Sequence, residues 1–588
     1  MYNTCKVPIP DAHGKIIITK RSGLYYVLYQ YAQEYDAAKR YAIPKRTVIG
    51  RRDDNDNGYM YPNEKFQQYF PDVVLPAELP EAYRSCALRI GSYVVIRHVL
   101  NEYRLPELLK KWFREDSGLL QDLVSYLIIE EENAGQYYPD YAFNHPLFSD
   151  RMRIYSDSKV CRFLKSVTKD QIFGFQDGWN LKRDHKQRIY ISYDSTNKNS
   201  EAGNIDIVEY GKAKDDKGLP VFNIAIAYDK TNRVPLFYEE YPGSITDVSQ
   251  FTYMVGKVEE YGYKNVGFIL DRGYFSKENI SYIEDNGYAF IIMVKGCKKL
   301  VSSLVADHKG SFETDRDCSI RAYRVYGKTV SARLYEGDTK DRYFHIYFNP
   351  SRQAAEREKL EQMLDRMKLF LDKHKGDELT LGKTYDEYFV IRQNKKHKLI
   401  SYDERKDVIQ SQLDLCGYFC IVTSEPMTAG EALIHYKGRD ISEKLFSADK
   451  SFIGSKSMRV YTSDSLSAKV FIEFVALIVR NRIYNLLKEM MLRLETRPNY
   501  MTVPAAIREL EKIEMVRRNE GLYKLDHAVS KRQKTIFSSF GISEDDISKA
   551  ATEIGNYLAA DQSAPDAPDE NDGEEADDDG TYEIDIFD

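Results

Sequence analysis

The sequence predicts an α/β chain, and three observations carry that prediction. Strand-like runs recur between Arg188 and Gly296 (RIYISYDST, LPVFNIAIAYDKTNRVPLFYEEY, NVGFILDRGYF, YAFIIMVKG), with helix-like stretches at 247–260 and 277–285 separating the later ones. One more such run, GYFCIVTSE at 417–425, precedes helical patterns at 428–450 and 464–495. Over 588 residues the chain is 43% hydrophobic and 13% aromatic, ample material for a large core.

Taken in order, residues 1–80 alternate short apolar runs with turn and basic residues (GKIIITKRSGLYYVLYQYAQ, KRTVIGRRDDNDNGYMYPNE) and read as a small strand-rich N-terminal domain. Over 81–186 apolar residues fall three and four apart, as in RIGSYVVIRHVLNEYRLPELLKKWF, which predicts helices. Arg84, Arg89, Arg97, Lys110, Lys111 and Arg114 mark them, and both a solvated surface and a DNA-contacting face fit that pattern. The α/β core is expected in two parts, 187–299 and 411–496, around a β-rich insertion at 300–410 that carries one charged helix, 351–376. In the helix at 464–495, Leu466, Val470, Phe474, Leu477 and Ile478 share an apolar side. A C-terminal helical region, 497–560, precedes an acidic tail, 561–588, expected to be disordered because it has nothing to bury and repels itself.

The formal charge of -7 hides an asymmetry. The last 28 residues hold 13 Asp or Glu and no Lys or Arg, which leaves 84 basic against 78 acidic residues in the body. That body can face a polyanion. Seven scattered Cys suit neither a disulfide framework nor a four-ligand zinc site. The N-terminus lacks the apolar stretch of a secretory signal, and the greasiest run, Phe471 to Val479, contains Glu473; an intracellular chain without a membrane span is expected. Phosphate-binding glycine loops, HExxH and GxSxG are missing.

Three acids are candidates for chemistry. Strand alternation puts Tyr190, Ser192 and Asp194 on one face and Ile189, Ile191 and Tyr193 on the other, so Asp194 is an acid near a strand end that a metal, an Arg or a solvated edge must compensate. Asp271 follows the uncharged run Val266 to Leu270, where α/β folds expose reactive groups, and Gly273 permits a sharp turn there. Ser276 is the better N-cap for the next helix, which leaves Asp271 without that role. Glu443 shares a helix face with Tyr436, Arg439 and Lys450; a surface ion pair with Arg439 is the plain alternative to a metal-and-phosphate site. Three carboxylates can surround two divalent ions about 4 Å apart, and oxygen donors without nearby Cys or His suit Mg2+ better than zinc.

The spacing Tyr436-x2-Arg439-x3-Glu443-x6-Lys450 resembles the Y-(2)-R-(3)-E-(6)-K signature of IS4-type DDE transposases. Asp271-Arg272-Gly273-Tyr274-Phe275 resembles their second acidic motif, and YDSTN, with Asp194 and Thr196, their first. The stretch between runs from Tyr210-Gly211 to Pro242-Gly243, Thr246 and Asp247 and is similar to the family, with Ser244 where Asn is more usual. The opening VLYQYAQEYDAAKRYAIPKRTVIG looks like the IS1634-like branch.

The resemblance implies an RNase H-like core with Asp194, Asp271 and Glu443 as catalytic metal ligands for two Mg2+ ions, Mn2+ being able to substitute. Tyr436, Arg439 and Lys450 would grip DNA, while Thr196, Gly273 and Tyr274 would support the motifs. It further implies cleavage at the ends of an insertion element and attack of the freed 3′-hydroxyl on target DNA. A homodimer would hold DNA bearing terminal inverted repeats in the cytoplasm of a prokaryotic cell, with 81–186 as the DNA-end-binding region. A metal-dependent nuclease without strand transfer and an inactive DNA-binding protein are the alternatives.

Overall fold

A computed structural model describes residues 6–561 except 13–14, 22–23, 37–40, 54–56, 74, 76–83, 201–204, 212–217, 295–297, 440–457, 495–497 and 518–521. The chain divides into two compact units, Met1–Ser85 and Cys86–Asp588, so the boundaries expected near 187, 300, 411 and 497 all fall inside the second. The acidic tail, 562–588, lies outside the described residues, as do Glu443 and Lys450.

In the first unit the described strands form an antiparallel sheet in the order Val7–Pro8, Tyr59–Pro62, Tyr41–Arg52, Leu24–Asp36, Ile16–Arg21. Helix Glu64–Tyr69 starts at Asn63, whose side chain accepts from the Lys65 N–H at 3.1 Å. Phe66 on that helix packs with Val7, Val27, Ile49 and Met60, all buried.

The second unit is built on one sheet, nine-stranded among the described residues. Five of its strands lie in the spatial order Val234–Pro242, Val221–Asp229, Ile189–Asn199, Val266–Leu270, Ala289–Met293. Numbered along the chain that order is 3-2-1-4-5, the RNase H-like arrangement. Val266–Leu270 runs parallel to both neighbours and is buried at every position, which explains its uncharged sequence. Beyond Ala289–Met293 the sheet continues antiparallel through Tyr418–Thr423 and Asp341–Phe348 to Val325–Arg333 and Ser319–Ile320.

The 300–410 block therefore lends its strands Ser319–Ile320, Val325–Arg333 and Asp341–Phe348 to the core sheet. Besides helix Lys298–His308, the block holds helix Pro350–Lys373, helix Lys383–Tyr388 and hairpin Phe389–Gln393/Leu399–Glu404, and these last three share a separate small core with helix Lys406–Leu415. Leu364, Leu371, Phe389 and Leu413 line it.

Helix Ser463–Arg493 departs from the one-sided pattern expected of it: every residue from Ala468 to Asn481 is buried. Its neighbours supply the reason. Phe474 meets Tyr238 of the sheet at 5.0 Å between ring centroids, while Phe471 meets Phe113 at 5.2 Å and Phe175 at 5.0 Å on helices Leu105–Phe113 and Lys169–Leu181. The helices of 91–181 thus close over the far side of this helix and share its core. The C-terminal region returns to the start of the unit, where strand Glu514–Val516 pairs with Ala87–Arg89 and Lys524–Leu525. Among the described residues no helix is long and apolar enough to cross a membrane.

Candidate catalytic site

Asp194 lies within strand Ile189–Asn199, and Asp271 directly follows strand Val266–Leu270. The two strands are parallel with Tyr193 beside Leu270, so the next residue on each is an aspartate. Residues in register on parallel strands project to the same face, and neighbouring strands lie about 4.8 Å apart. Two carboxylates thereby rise side by side. Asp194 is half-buried and accepts from the Ser195 N–H at 2.9 Å. The Asp271 side chain is 37% exposed.

The loop after Asp271 is a single 3-10 turn, Arg272–Tyr274, closed by the Tyr274 N–H donating to the Asp271 carbonyl at 3.0 Å. Tyr274 is buried against Tyr193 and Phe251, at 5.6 and 5.7 Å between ring centroids, so it anchors the turn from the opposite face of the sheet. Gly273 does not adopt the left-handed conformation that a glycine-demanding turn needs. A Cβ there would make an ordinary contact, 3.7 Å from Asp271 Oδ2, so neither backbone conformation nor space demands a glycine at this position. Ser276 caps helix Lys277–Asp285, accepting from the Asn279 N–H at 3.1 Å, which leaves Asp271 outside the cap. Thr196 is buried on the Asp194 face, two residues along.

Helix Ala429–Lys437 covers the face that carries both aspartates. It opens with a capping box between Thr428 and Glu431. Tyr436 is 5% exposed, in an apolar cluster with Ile269, Ile291 and Leu433. The sheet face beneath the helix is apolar at that point, which draws the ring inward. Arg439 follows the helix; its guanidinium lies 5.6 Å from the Tyr436 ring centroid, and its Nη1 is 3.4 Å from Asp271 Oδ1. Asp194, Asp271, Tyr436 and Arg439 are therefore brought to one place. Among the described residues no group of three His, Cys, Asp or Glu converges, and the expected third acid, Glu443, is outside them.

Several groups around the site carry no motif in sequence. Lys230, at the turn between Val221–Asp229 and Val234–Pro242, donates from Nζ to the carbonyls of Ile434 and His435, both at 3.0 Å. Burial lowers its ammonium to about 8. His435 is pushed down to about 4 by burial and by Lys230, and its ring stands 4.1 Å from that of Tyr190. Further along the Asp194 strand, Lys198 pairs with Glu473 of the long helix at 2.6 Å with both side chains buried. At the sheet edge a cavity of about 220 Å³ takes in Glu239 and Glu240; Ser467 donates to Glu240 at 2.9 Å, and burial pushes that carboxyl up to about 7. A hydrophobic strand residue switched to Glu or Lys was the available signal for Glu240 and Lys198. For Lys230 there was none, because its partners are backbone carbonyls distant in sequence.

Residues 191–479 match the family model described as Transposase DDE domain. No curated protein matches the chain. Among solved structures it is similar to one titled "Cryo-EM structure of piggyBac transposase synaptic complex with hairpin DNA", at 7% identity and a TM-score of 0.33, over 81% of this chain and 80% of that one. The matched segment runs from Ile191, on the strand of Asp194, to Val479, in the long helix; it is similar to transposase DDE domains, encloses Asp194, Asp271, Tyr436 and Arg439, and supports a DDE transposase.

Proposed function

We propose that this chain is a DNA transposase of an insertion sequence, of the IS4 type and its IS1634-like branch. It cuts DNA at the element ends and joins the freed 3′-hydroxyl to target DNA. The observation that carries the reading is the adjacency of Asp194 and Asp271 on one face, at neighbouring parallel strands of a sheet in the RNase H-like order.

Two hard carboxylate donors side by side, one of them over one-third exposed, suit an oxygen-preferring divalent ion. Asp194 and Asp271, with Glu443 as third ligand, would hold Mg2+, or Mn2+ in its place. Bound there, the metal supplies charge to activate an attacking oxygen and stabilise a leaving one. Arg439, beside Asp271, places a fixed guanidinium where a phosphate flanking the cut would lie, and Lys450 adds a second cation. Tyr436 acts as the buried support for Arg439. The turn through Gly273 and Tyr274 holds Asp271 at its strand end, and Thr196 holds the strand of Asp194. In this reading a homodimer brings together two element ends with terminal inverted repeats, acting on chromosomal or plasmid DNA in the cytoplasm of a prokaryotic cell.

Incubating the protein with duplexes taken from the DNA flanking its gene tests the reading. The wild type is expected to nick them in Mg2+ and to yield products joined to target DNA. Asp194→Asn and Asp271→Asn are each expected to lose at least about a hundredfold in rate, since even outer-shell changes at metal sites cost up to that. Full-rate cutting by Asp271→Asn removes the assignment. Nicked but never joined products identify a nuclease, and binding without nicking under any divalent ion identifies an inactive DNA-binding protein.

A further inference from the structure

The first unit contains a feature that its own small core does not use. Strands Leu24–Asp36 and Tyr41–Arg52 pair from Tyr26 with Arg51 to Asp36 with Tyr41. Their neighbours stop short: Ile16–Arg21 pairs only with Leu24 to Tyr29, and Tyr59–Pro62 only with Gly50 to Arg52. Among the described residues, then, 30–36 and 41–46 form a two-stranded arm projecting from the sheet. Seven residues at about 3.3 Å each make it about 20 Å long. Pro44 lies within it, a residue tolerated where a strand has an open edge.

The arm is wet yet aromatic. Tyr35 is 66% exposed and Tyr41 57%, near the far end, while Lys45, paired across the arm with Glu34, and Arg46 are exposed closer to the sheet. At the base, Lys20 and Arg21 stand exposed on the edge strand, and Arg52 lies 3.9 Å from the Tyr25 ring centroid, a contact that fixes its guanidinium. Among the described residues of 6–52, eight Lys or Arg stand against three Asp or Glu. Exposed tyrosines on a narrow ribbon above a basic rim match a duplex. A two-stranded ribbon fits a major groove about 12 Å wide, and the rim meets the phosphates on either side.

We propose that this arm enters a groove of double-stranded DNA while Lys20 and Arg21 contact its backbone, so that the first unit carries part of the DNA recognition. The inference rests on the transposase reading and narrows the DNA contact expected of the N-terminal part of the chain to one arm of its first unit.

The test uses the full chain, a mixed-sequence duplex and two double variants, Lys20→Gln/Arg21→Gln and Tyr35→Ser/Tyr41→Ser. All four side chains lie at or near the surface of the unit, and an unchanged thermal unfolding midpoint checks that both variants fold. The charge variant is expected to bind more weakly, with the slope of log affinity against log salt reduced by about 2, one per lost phosphate contact. The tyrosine variant is expected to lose about tenfold at every salt concentration with its slope unchanged. Wild-type affinity and slope in both variants overturn the proposal, as does unchanged DNA binding with loss of a dimer by light scattering, which would make the arm a contact between copies. Asp271→Asn is run in parallel for cutting alone: it should not cut. Cutting lost in that variant while the arm variants bind normally leaves the transposase reading standing and removes only the arm; a wild type that binds no duplex removes both.

Discussion

Lys198 and Glu473 face each other at 2.6 Å with side chains 1% and 2% exposed. Taking two charges out of water costs several kcal/mol each, and only their close contact offsets it. The pair joins the strand of Asp194 to the long helix, and Lys198 lies on the same face of that strand as Asp194. Replacing one partner strands the other. Glu473→Leu is expected to lower the unfolding free energy by about 3–5 kcal/mol in urea titrations, and Lys198→Met/Glu473→Leu to recover most of it. A double variant as unstable as the single one would show that packing, not charge pairing, sets the cost. Nearby Lys469, lowered to about 8 by burial, donates to the Met458 carbonyl at 2.6 Å and so ties the same helix to the segment just ahead of it.

At the scale of the element, helix Ala429–Lys437 matters because Arg439 follows it. Its first turn is closed by Thr428 and Glu431, and its last carbonyls receive the Lys230 ammonium, a cation where the helix dipole favours one. Burial nonetheless lowers Lys230 from 10.5 to about 8. Between those values the unfolded chain binds the proton more tightly than the folded one, so the unfolding free energy gains from this group as pH rises from 8 to 10.5. Below pH 8 the burial penalty is fully present. His435, pushed down to about 4, stays neutral throughout that window. Lys230→Met should therefore show a flatter dependence of urea stability on pH from 8 to 10.5 than the wild type. Parallel curves for the two proteins would sink the assignment.

For the whole molecule, the charge imbalance between body and tail sets the expected behaviour toward nucleic acid. Residues 561–588 carry thirteen acids beside a body that is otherwise net basic, so a tail of that charge would compete with DNA for it. Deleting 561–588 is expected to raise affinity for random-sequence duplex several-fold at about 50 mM salt and much less at about 200 mM, as read by fluorescence anisotropy. Equal affinities across the series would leave the tail no role in DNA binding.

Much of the site was legible before any coordinates because its signals are local. Alternation along RIYISYDST assigns Asp194 a face, and an uncharged run ending in an acid marks Asp271 as a strand-end group; both follow from a periodicity of two within one segment. Tertiary structure alone decided that Tyr193 and Leu270 stand in register, that Arg439 comes within 3.4 Å of Asp271, and that Lys230 reaches two carbonyls some two hundred residues away. It also decided that Tyr436 turns inward and that the long helix is covered on every side. The physical reason is the range of the forces involved. Side-chain periodicity is written into neighbouring residues, whereas strand register and the burial of a whole helix depend on which distant surfaces exclude water together.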